Sequence, residues 1–250
     1  MSNIKIDWKE IVANAGKTER VSKHIIGGRT FYIKRRKKKV KHIERILLKV
    51  VSLITGSVLW LAPKFDKNND FEIHRLGELR AAGINVPQVV HIDQDFFVMS
   101  DAGVKLGEYL RNHPGKNSEE YLIKTMIQLA HMHKKGFAHG GAQVRNYCVK
   151  DDAIFTIDVE EDYSSKHLEK LKIRDAVLLL YSTQRSFPNM NLQKMIDAYK
   201  SETGADIYDY MKRMARKYRF ILFLEKPFFQ RQKYMKRNIK AAVELIRKFQ

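Results

Sequence analysis

One segment, KKGFAHGGAQVRNYCVKDDAIFTIDVEED at Lys134–Asp162, sets the architecture of this chain. A helical pattern ends at its Gly136, and its second half predicts two short strands that turn at Asp151-Asp152. Polar residues flank this hairpin, because His139 and Asn146 precede it and Asp158 closes it. Loops of this kind carry functional side chains more often than the elements they connect, so this loop is the first candidate for a site.

The residues before this segment predict a β-rich unit. ERVSKHIIGGRTFYIKRR predicts two strands joined at Gly27-Gly28. DFEIHRLGELRAAGINVPQVV predicts a helix that ends at Gly83, and QVVHID and DFFVMSD predict two more strands. The first hundred residues therefore predict the order β-β-insert-α-β-β, in which a basic and then apolar insert occupies residues 35–66.

The residues after Asp101 predict helices. KLGEYLRNH is a short helical pattern, and NSEEYLIKTMIQLAHMHKKG is a longer one with Asn117 and Glu120 as a capping pair. Apart from the hairpin, the chain is helical in pattern to Gln250. A β-rich part at 1–100 followed by a helical part at 101–250 predicts an α+β fold of two lobes, with a cleft between them and a hinge near Met99–Gly103.

Charge is the unusual feature of the composition. The chain has 47 Lys and Arg against 28 Asp and Glu, a net charge of +19, which predicts attraction to polyanions. The single cysteine, Cys148, excludes an internal disulfide and a zinc site built on several cysteines, and a reducing cytoplasmic compartment is the simplest expectation. The N-terminus has no apolar signal-peptide core, so secretion is not expected.

Two regions concentrate this basic charge. KRRKKKVK at 34–41 precedes an apolar segment at Ile46–Ala62, which is marginal for a bilayer span and fits a membrane-surface helix or a buried helix. The C-terminal stretch Asp209–Gln250 holds 13 Lys and Arg against 3 Asp and Glu, interleaved with aromatic residues. These regions favour an anionic membrane surface or a phosphorylated glycolipid as partner, with nucleic acid as the alternative.

Four residues are of the types that phosphoryl transfer requires. Lys34 closes a strand, Glu72 lies in the following helix and could pair with it, and Glu78 is the second candidate for that pairing. Asn146 and Asp158 offer oxygen ligands of the kind that Mg²⁺ prefers. By contrast, AGKT at residues 15–18 is not a phosphate-binding loop, because Ile11 stands where that motif needs glycine.

This ordered set resembles the small bacterial kinases of the protein-kinase-like fold, which include the lipopolysaccharide-core (heptose and Kdo) kinases and the RIO-type kinases. The matching motifs span residues 20–182. They are Lys34 in FYIK, Glu72 in EIHRLGELRAAGINVP, His139-Gly140 to Asn146 in HGGAQVRN, Asp158 in TIDVEED, and Arg174-Asp175 in KIRDAVLLLYS.

The resemblance implies ATP and Mg²⁺ as cofactors. It implies that Lys34, paired with Glu72, contacts the α- and β-phosphates, and that Asn146 and Asp158 hold the metal. His139 and Asp175 would brace the catalytic loop. The hinge Val98–Asp101, with Met99 and Asp101 among its residues, would receive the adenine.

Several positions depart from the family pattern. The catalytic-base aspartate of the family falls on Gly141, IDVEE replaces the Asp-Phe-Gly triplet, and the N-terminal region has no glycine-rich phosphate loop. Gln143, Glu160 and Glu161 are the candidates to orient an acceptor in place of the missing aspartate. General-base catalysis contributes about 10²–10⁴-fold, so its loss weakens such an enzyme without abolishing it.

The expected function is therefore ATP- and Mg²⁺-dependent phosphorylation of a hydroxyl on a sugar or glycolipid, of the lipopolysaccharide-core kinase type. The expected location is the cytoplasm, peripheral on the inner membrane. Two alternatives stay open. One is a nucleotide-binding pseudokinase or scaffold at the membrane, which Gly141 favours, and the other is an RNA-associated kinase-like protein, which the charge favours.

Overall fold

The computed structural model describes residues 6–14, 20–36, 70–113, 117–159, 167–219, 222 and 233–250, the last of these with side chains from residue 238 onward. The predicted insert at 35–66 lies outside the described residues except for Arg35 and Arg36. The apolar segment Ile46–Ala62 and the acceptor-orienting candidates Glu160 and Glu161 also lie outside them. No described helix has both the length and the apolar composition of a membrane span.

The described elements follow the predicted order, with two short elements added to it. The helices are α1 (Trp8–Asn14), α2 (Asp70–Ala81), α3 (Leu106–Asn112), α4 (Ser118–Lys134), α5 (Leu168–Ser186), α6 (Leu192–Thr203), α7 (Ile207–Lys217) and α8 (Lys233–Lys248). The strands are β1 (Val21–Ile26), β2 (Arg29–Arg35), β3 (Val89–Ile92), β4 (Phe96–Ser100), β5 (Val104–Lys105), β6 (Tyr147–Lys150) and β7 (Ala153–Thr156). A 3₁₀ turn, Val144–Asn146, precedes β6.

The first lobe is a four-stranded antiparallel sheet in the order β1-β2-β4-β3. Its β1–β2 hairpin turns at Gly27-Gly28, both at positive φ, as the sequence predicts. Side chains along β4 alternate between two apolar clusters: Phe96 and Val98 pack with α1 residues, whereas Phe97 packs with α2 residues. Because each face of the sheet is covered by one helix, both faces of β4 are buried.

Helix α1 was not predicted from the sequence. Its start is capped by Asp7, whose Oδ1 accepts hydrogen bonds from the backbone N–H groups of Lys9 and Glu10 at 3.0 and 3.1 Å. Trp8 then meets Phe31 of the sheet edge-on, with ring centroids 5.2 Å apart. An Asp followed three residues later by Glu is a helix-start signal, so the sequence did contain the information.

The second lobe is mainly helical and is built around α4 and α5. Helix α4 begins at the predicted cap, because Asn117 Oδ1 accepts from the N–H groups of Glu119 and Glu120. The apolar residues that give α4 its helical spacing (Leu122, Met126, Leu129 and Met132) are all buried. Helix α6 packs against α4, and α8 packs against α5.

A small three-stranded sheet, in the order β5-β6-β7, lies between the hinge and this helical core. The β6–β7 hairpin turns at Asp151 and Asp152, both at positive φ, as in a two-residue turn. Strand β5, only two residues long, was not predicted; it pairs Lys105 with Cys148. A β-rich first part and a helical second part confirm the predicted α+β fold.

Candidate functional site

A cavity of about 520 Å³ lies between the four-stranded sheet and the loop that precedes β6. Its roof is formed by β1, β2 and α2, its back by the hinge after β4, and its floor by Lys105 and residues 145–158. This volume is within the range of about 300–1,000 Å³ that small-molecule and cofactor sites occupy. Of the eight predicted site residues, five line it: Lys34, Glu72, Met99, Asn146 and Asp158.

Lys34 is the centre of the charged end of the cavity. Its Nζ donates to Glu72 Oε1 at 2.6 Å and to Asp158 Oδ1 at 3.0 Å. The Lys34 and Glu72 side chains are 5% and 1% exposed, so this ion pair is shielded from solvent. The predicted Lys34–Glu72 pairing is thus present, and Glu78 instead lies 3.4 Å from Arg75 on the helix surface.

Asp158 and Asn146 present oxygen atoms to the same end of the cavity. The Asp158 side chain is 45% exposed, and its backbone has φ +62, a conformation that a non-glycine residue adopts at a cost. Asn146 is buried, and its Nδ2 donates to Gly141 O at 2.9 Å, which leaves its side-chain oxygen as an acceptor. The Ile157 N–H donates to Asn146 O at 2.9 Å, so the two ligands are held together through the backbone.

This donor set fits Mg²⁺ bound together with a nucleotide. Mg²⁺ is commonly held by one or two protein oxygen ligands plus substrate phosphates. Asn146 and Asp158 supply two such ligands, and the Lys34 ammonium lies beside Asp158, where a phosphate oxygen would need a cation. Among the described residues, no three His, Cys, Asp or Glu side chains form a cluster that could hold a metal by themselves.

Asp175 holds the loop between α4 and β6 from beneath. Its fully buried carboxylate accepts hydrogen bonds from the N–H groups of His139, Gly140 and Ala142 at 2.7, 3.1 and 3.4 Å. Burial opposes ionisation of Asp175, but the neighbouring His133 and His139 rings and the Gly140 N–H lower its pKa below the ordinary value. The loop therefore has one defined shape, as the predicted bracing role of Asp175 requires.

His139 acts in this frame and not in the cavity. Its side chain is 1% exposed, and its Nδ1 accepts from the Gly141 N–H at 3.4 Å. It is absent from the cavity wall and lies in the frame beneath the loop, where the resemblance implies a bracing residue. Gln143 is also absent from the wall; its backbone oxygen accepts from Asn146 N at 2.8 Å and begins the 3₁₀ turn.

A second layer of the frame was missed at the sequence level. His133 of α4 is 2% exposed, and its Nδ1 is 2.7 Å from Tyr199 Oη of α6. Its Nε2 lies 3.6 Å from Asp175 Oδ2, beyond hydrogen-bond length. Burial lowers the pKa of His133 despite the nearby carboxylate. The sequence alone does not show whether a histidine in a helix is buried against other polar side chains, as His133 is, or exposed to solvent.

The hinge contributes backbone and apolar surface to the cavity through Met99, Ser100, Ala102 and Gly103. Asp101 is not part of the wall. Its Oδ1 accepts from the Gly103 N–H at 3.1 Å, and Lys150 Nζ donates to its backbone oxygen at 3.1 Å. The Asp101 carboxylate thus closes the turn after the hinge, and the contact of the Asp101 backbone with an adenine stays a prediction.

Other cavity residues were not predicted. Cys148 lies on the floor, and burial raises the pKa of its thiol to about 11, which keeps the thiol protonated and unreactive near neutral pH. Lys105 and Arg145 add two exposed cations to the same floor. Arg145 directly precedes Asn146 in the sequence, so its position next to the predicted metal ligand could have been predicted.

Comparison with known proteins covers most of the site residues, but the matched family segment does not reach Lys34. A family profile described as RIO domain matches residues 66–195, which is just over half of the chain and includes the loop, Asp158 and Asp175. An uncharacterized protein of Haemophilus influenzae is 23% identical over 185 residues, which cover 72% of this chain and 76% of that protein. A probable bifunctional tRNA threonylcarbamoyladenosine biosynthesis protein of Thermoplasma acidophilum is 27% identical over 162 residues, which cover 61% of this chain and 29% of that protein.

Proposed function

Because this chain belongs to the RIO-domain family, which has the protein-kinase-like fold, we propose that it transfers a phosphoryl group from ATP. The observation that carries the proposal is the convergence of Lys34, Glu72, Asn146 and Asp158 on one end of a nucleotide-sized cavity. Of these residues, Lys34 and Asp158 are 124 positions apart in the sequence. Burial of a lysine beside carboxylates carries a desolvation penalty, and charged clusters of this kind in a cleft are concentrated at functional sites.

Each residue has a distinct task in this proposal. Lys34, oriented by Glu72, contacts the nucleotide phosphates, while Asn146 and Asp158 bind Mg²⁺. Bound Mg²⁺ supplies positive charge that offsets the charge developing on the phosphates. Met99 and the hinge backbone contact the adenine, and Asp175 keeps the loop in shape. Positioning and electrostatics supply most of the catalysis of phosphoryl transfer, so these residues carry the activity even with glycine at position 141.

For the acceptor, we propose a hydroxyl on a sugar or glycolipid of the lipopolysaccharide-core type, reached at the cytoplasmic face of the inner membrane. The net charge of +19, the basic run at 34–41 and the basic C-terminal stretch support a peripheral position on an anionic surface. Most of that basic run lies outside the described residues, so its support comes from the sequence.

Two specific observations support other functions. Gly141 supports a pseudokinase that binds nucleotide and acts as a scaffold, because no side chain at that position can take a proton from an acceptor. The similarity to the Thermoplasma protein, which is named for tRNA modification, supports an RNA-associated role together with the basic charge.

Thermal unfolding with and without ATP and Mg²⁺ tests the nucleotide site. We expect ATP with Mg²⁺ to raise the Tm of the parent and of Asp209→Ala, an exposed acid on α7, but not of Asp158→Ala. Absence of stabilisation in the parent would count against both nucleotide-binding functions. Stabilisation without loss of γ-phosphate during long incubation with sugar and lipid acceptors would favour the pseudokinase.

Co-sedimentation tests the membrane proposal. Vesicles that contain anionic lipid should sediment the parent, and neutralisation of residues 35–39 should reduce the bound fraction at physiological salt. Unchanged binding by the neutralised variant would overturn the role of the basic run. Displacement of the protein from vesicles by a low concentration of tRNA would instead support the RNA-associated function.

A further inference from the structure

The floor of the cavity carries charge that the proposed nucleotide contacts do not use. Lys105 and Arg145 line the cavity and are exposed, and neither lies within ion-pair distance of a carboxylate in the part of the chain that the structure describes. Lys34, by contrast, contacts Glu72 and Asp158. The cavity therefore has one end where Lys34 is paired with two carboxylates, and a second pair of cations, Lys105 and Arg145, that has no such partner among the described residues.

The backbones beneath these two cations are fixed. Lys105 is paired with Cys148 across the β5–β6 ladder, which places it on the same sheet as the strand that follows Asn146. Arg145 lies in the 3₁₀ turn, which is held by the Val144 N–H bond to Ser182 Oγ at 2.9 Å. Two like charges held on one concave surface repel each other, and an anion bound between them would offset this repulsion.

The loop beside this floor offers no opposing charge. Gly141 has no side chain, and the acidic residues of the described cavity wall, Glu72 and Asp158, both contact Lys34. A carboxylate at position 141 would repel an anionic acceptor, whereas glycine together with Lys105 and Arg145 admits one. Guanidinium groups bind phosphate through two parallel N–H donors, which makes Arg145 suited to this ligand.

We propose that Lys105 and Arg145 form a phosphate-binding subsite for the acceptor, which itself carries a phosphate group near the hydroxyl that reacts. The assignment of this subsite to the acceptor rests on the proposed function, because it supposes that the nucleotide phosphates lie against Lys34 and Asp158. The existence of an anion subsite on the cavity floor does not depend on phosphoryl transfer.

The experiment measures Tm in phosphate-free buffer at constant ionic strength, with glycerol 3-phosphate as the probe and glycerol as its uncharged control. Each is added with and without a non-hydrolysable ATP analogue and Mg²⁺. The test variant is Lys105→Gln/Arg145→Gln. The matched control is Arg80→Gln/Lys170→Gln, which removes the same charge from exposed positions that do not line the cavity.

We expect glycerol 3-phosphate to raise the Tm of the parent and of the control variant by about 3–5 °C at ten times its Kd, and glycerol to have no effect. The test variant should bind the probe at least about tenfold more weakly, with its stabilisation by the ATP analogue unchanged. An equal shift in the test variant would overturn the subsite, as would the absence of any shift in the parent.

Two further results separate this proposal from the proposed function. If the probe and the ATP analogue compete, the two cations serve the nucleotide, and the acceptor subsite is wrong. If the ATP analogue does not bind at all but the probe still depends on Lys105 and Arg145, the anion subsite stands and the kinase function fails.

Discussion

Gly103 lies where the hinge closely approaches strand β6 of the second lobe, so its substitution should have a large effect. Gly103 has φ +89, and a Cβ on it would overlap the Val149 carbonyl oxygen and lie 2.7 Å from Lys150 Cβ. Backbone atoms of β6 cannot rotate away as a flexible side chain could. Gly103→Ala must therefore move the hinge away from the β5–β6 ladder.

The magnitude follows from a comparison with Gly136, which has φ +83 but no atom within 4 Å of a Cβ. The positive φ costs alanine about 1–2 kcal/mol at either position. Overpacking adds about 1–3 kcal/mol at position 103 alone. We therefore expect Gly103→Ala to unfold with about 2 kcal/mol less stability than Gly136→Ala, which for a chain of this size is about 4–8 °C in Tm.

The assay is thermal unfolding of both variants beside the parent, followed by titration with ATP and Mg²⁺. Because Gly103 also lines the cavity, the displaced hinge should weaken nucleotide binding, whereas Gly136→Ala should bind as the parent does. Tm values of the two variants within 1 °C of each other, at about the precision of the method, would refute the close approach and the reasoning built on it.

Three more predictions address the site. Lys34→Met should lower the free energy of unfolding by about 3–5 kcal/mol, since it removes the ammonium from a buried ion pair. Lys150→Met, which removes an ammonium from a partly exposed pair, should lower it by less than about 1 kcal/mol. Equal losses for the two variants in urea unfolding would contradict this prediction. Gly141→Asp should raise the rate of ATP hydrolysis by about 10²–10⁴-fold by restoring a proton acceptor, and not when Asp158→Ala is also present; an unchanged rate would place position 141 away from the attacking water. His133 has a lowered pKa because it is buried, so the folded chain binds fewer protons than the unfolded chain below about pH 6.5. Stability should therefore be complete above that pH and fall as the pH drops through the lowered pKa, with a shallower fall in His133→Asn when urea unfolding is compared at pH values of about 7.5 and 5.5.

Several elements followed directly from local patterns. The two hairpins could be predicted because such residue pairs favour the positive φ of a two-residue turn. Gly27-Gly28 and Asp151-Asp152 adopt positive φ in the structure. Helix α4 was predicted from its cap and from apolar residues spaced three and four apart, and those residues are buried. The order of Lys34, Glu72, Asn146 and Asp158 was also readable, because phosphoryl transfer needs these residue types in a set.

Other features depended on how the elements pack. The sequence offered both Glu72 and Glu78 to Lys34, and six positions on a helix differ by about 240° in direction, so only the packed orientation of α2 selects Glu72. Along the hinge, Met99 faces the cavity, but Asp101 closes a turn with Gly103 and Lys150. Which side chain faces the cavity depends on how each helix or strand is rotated about its own axis. That rotation is set by packing against distant parts of the chain and not by residues nearby in sequence.

The sequence by itself therefore determined the α+β class, the order of elements and the composition of the charged cluster, because caps, turns and periodicity act over a few residues. Only the tertiary structure decided that Asp175 accepts three loop N–H groups and that Lys105 and Arg145 share a cavity floor. These contacts join residues from 33 to 40 positions apart, and the burial that drives them belongs to the folded chain as a whole.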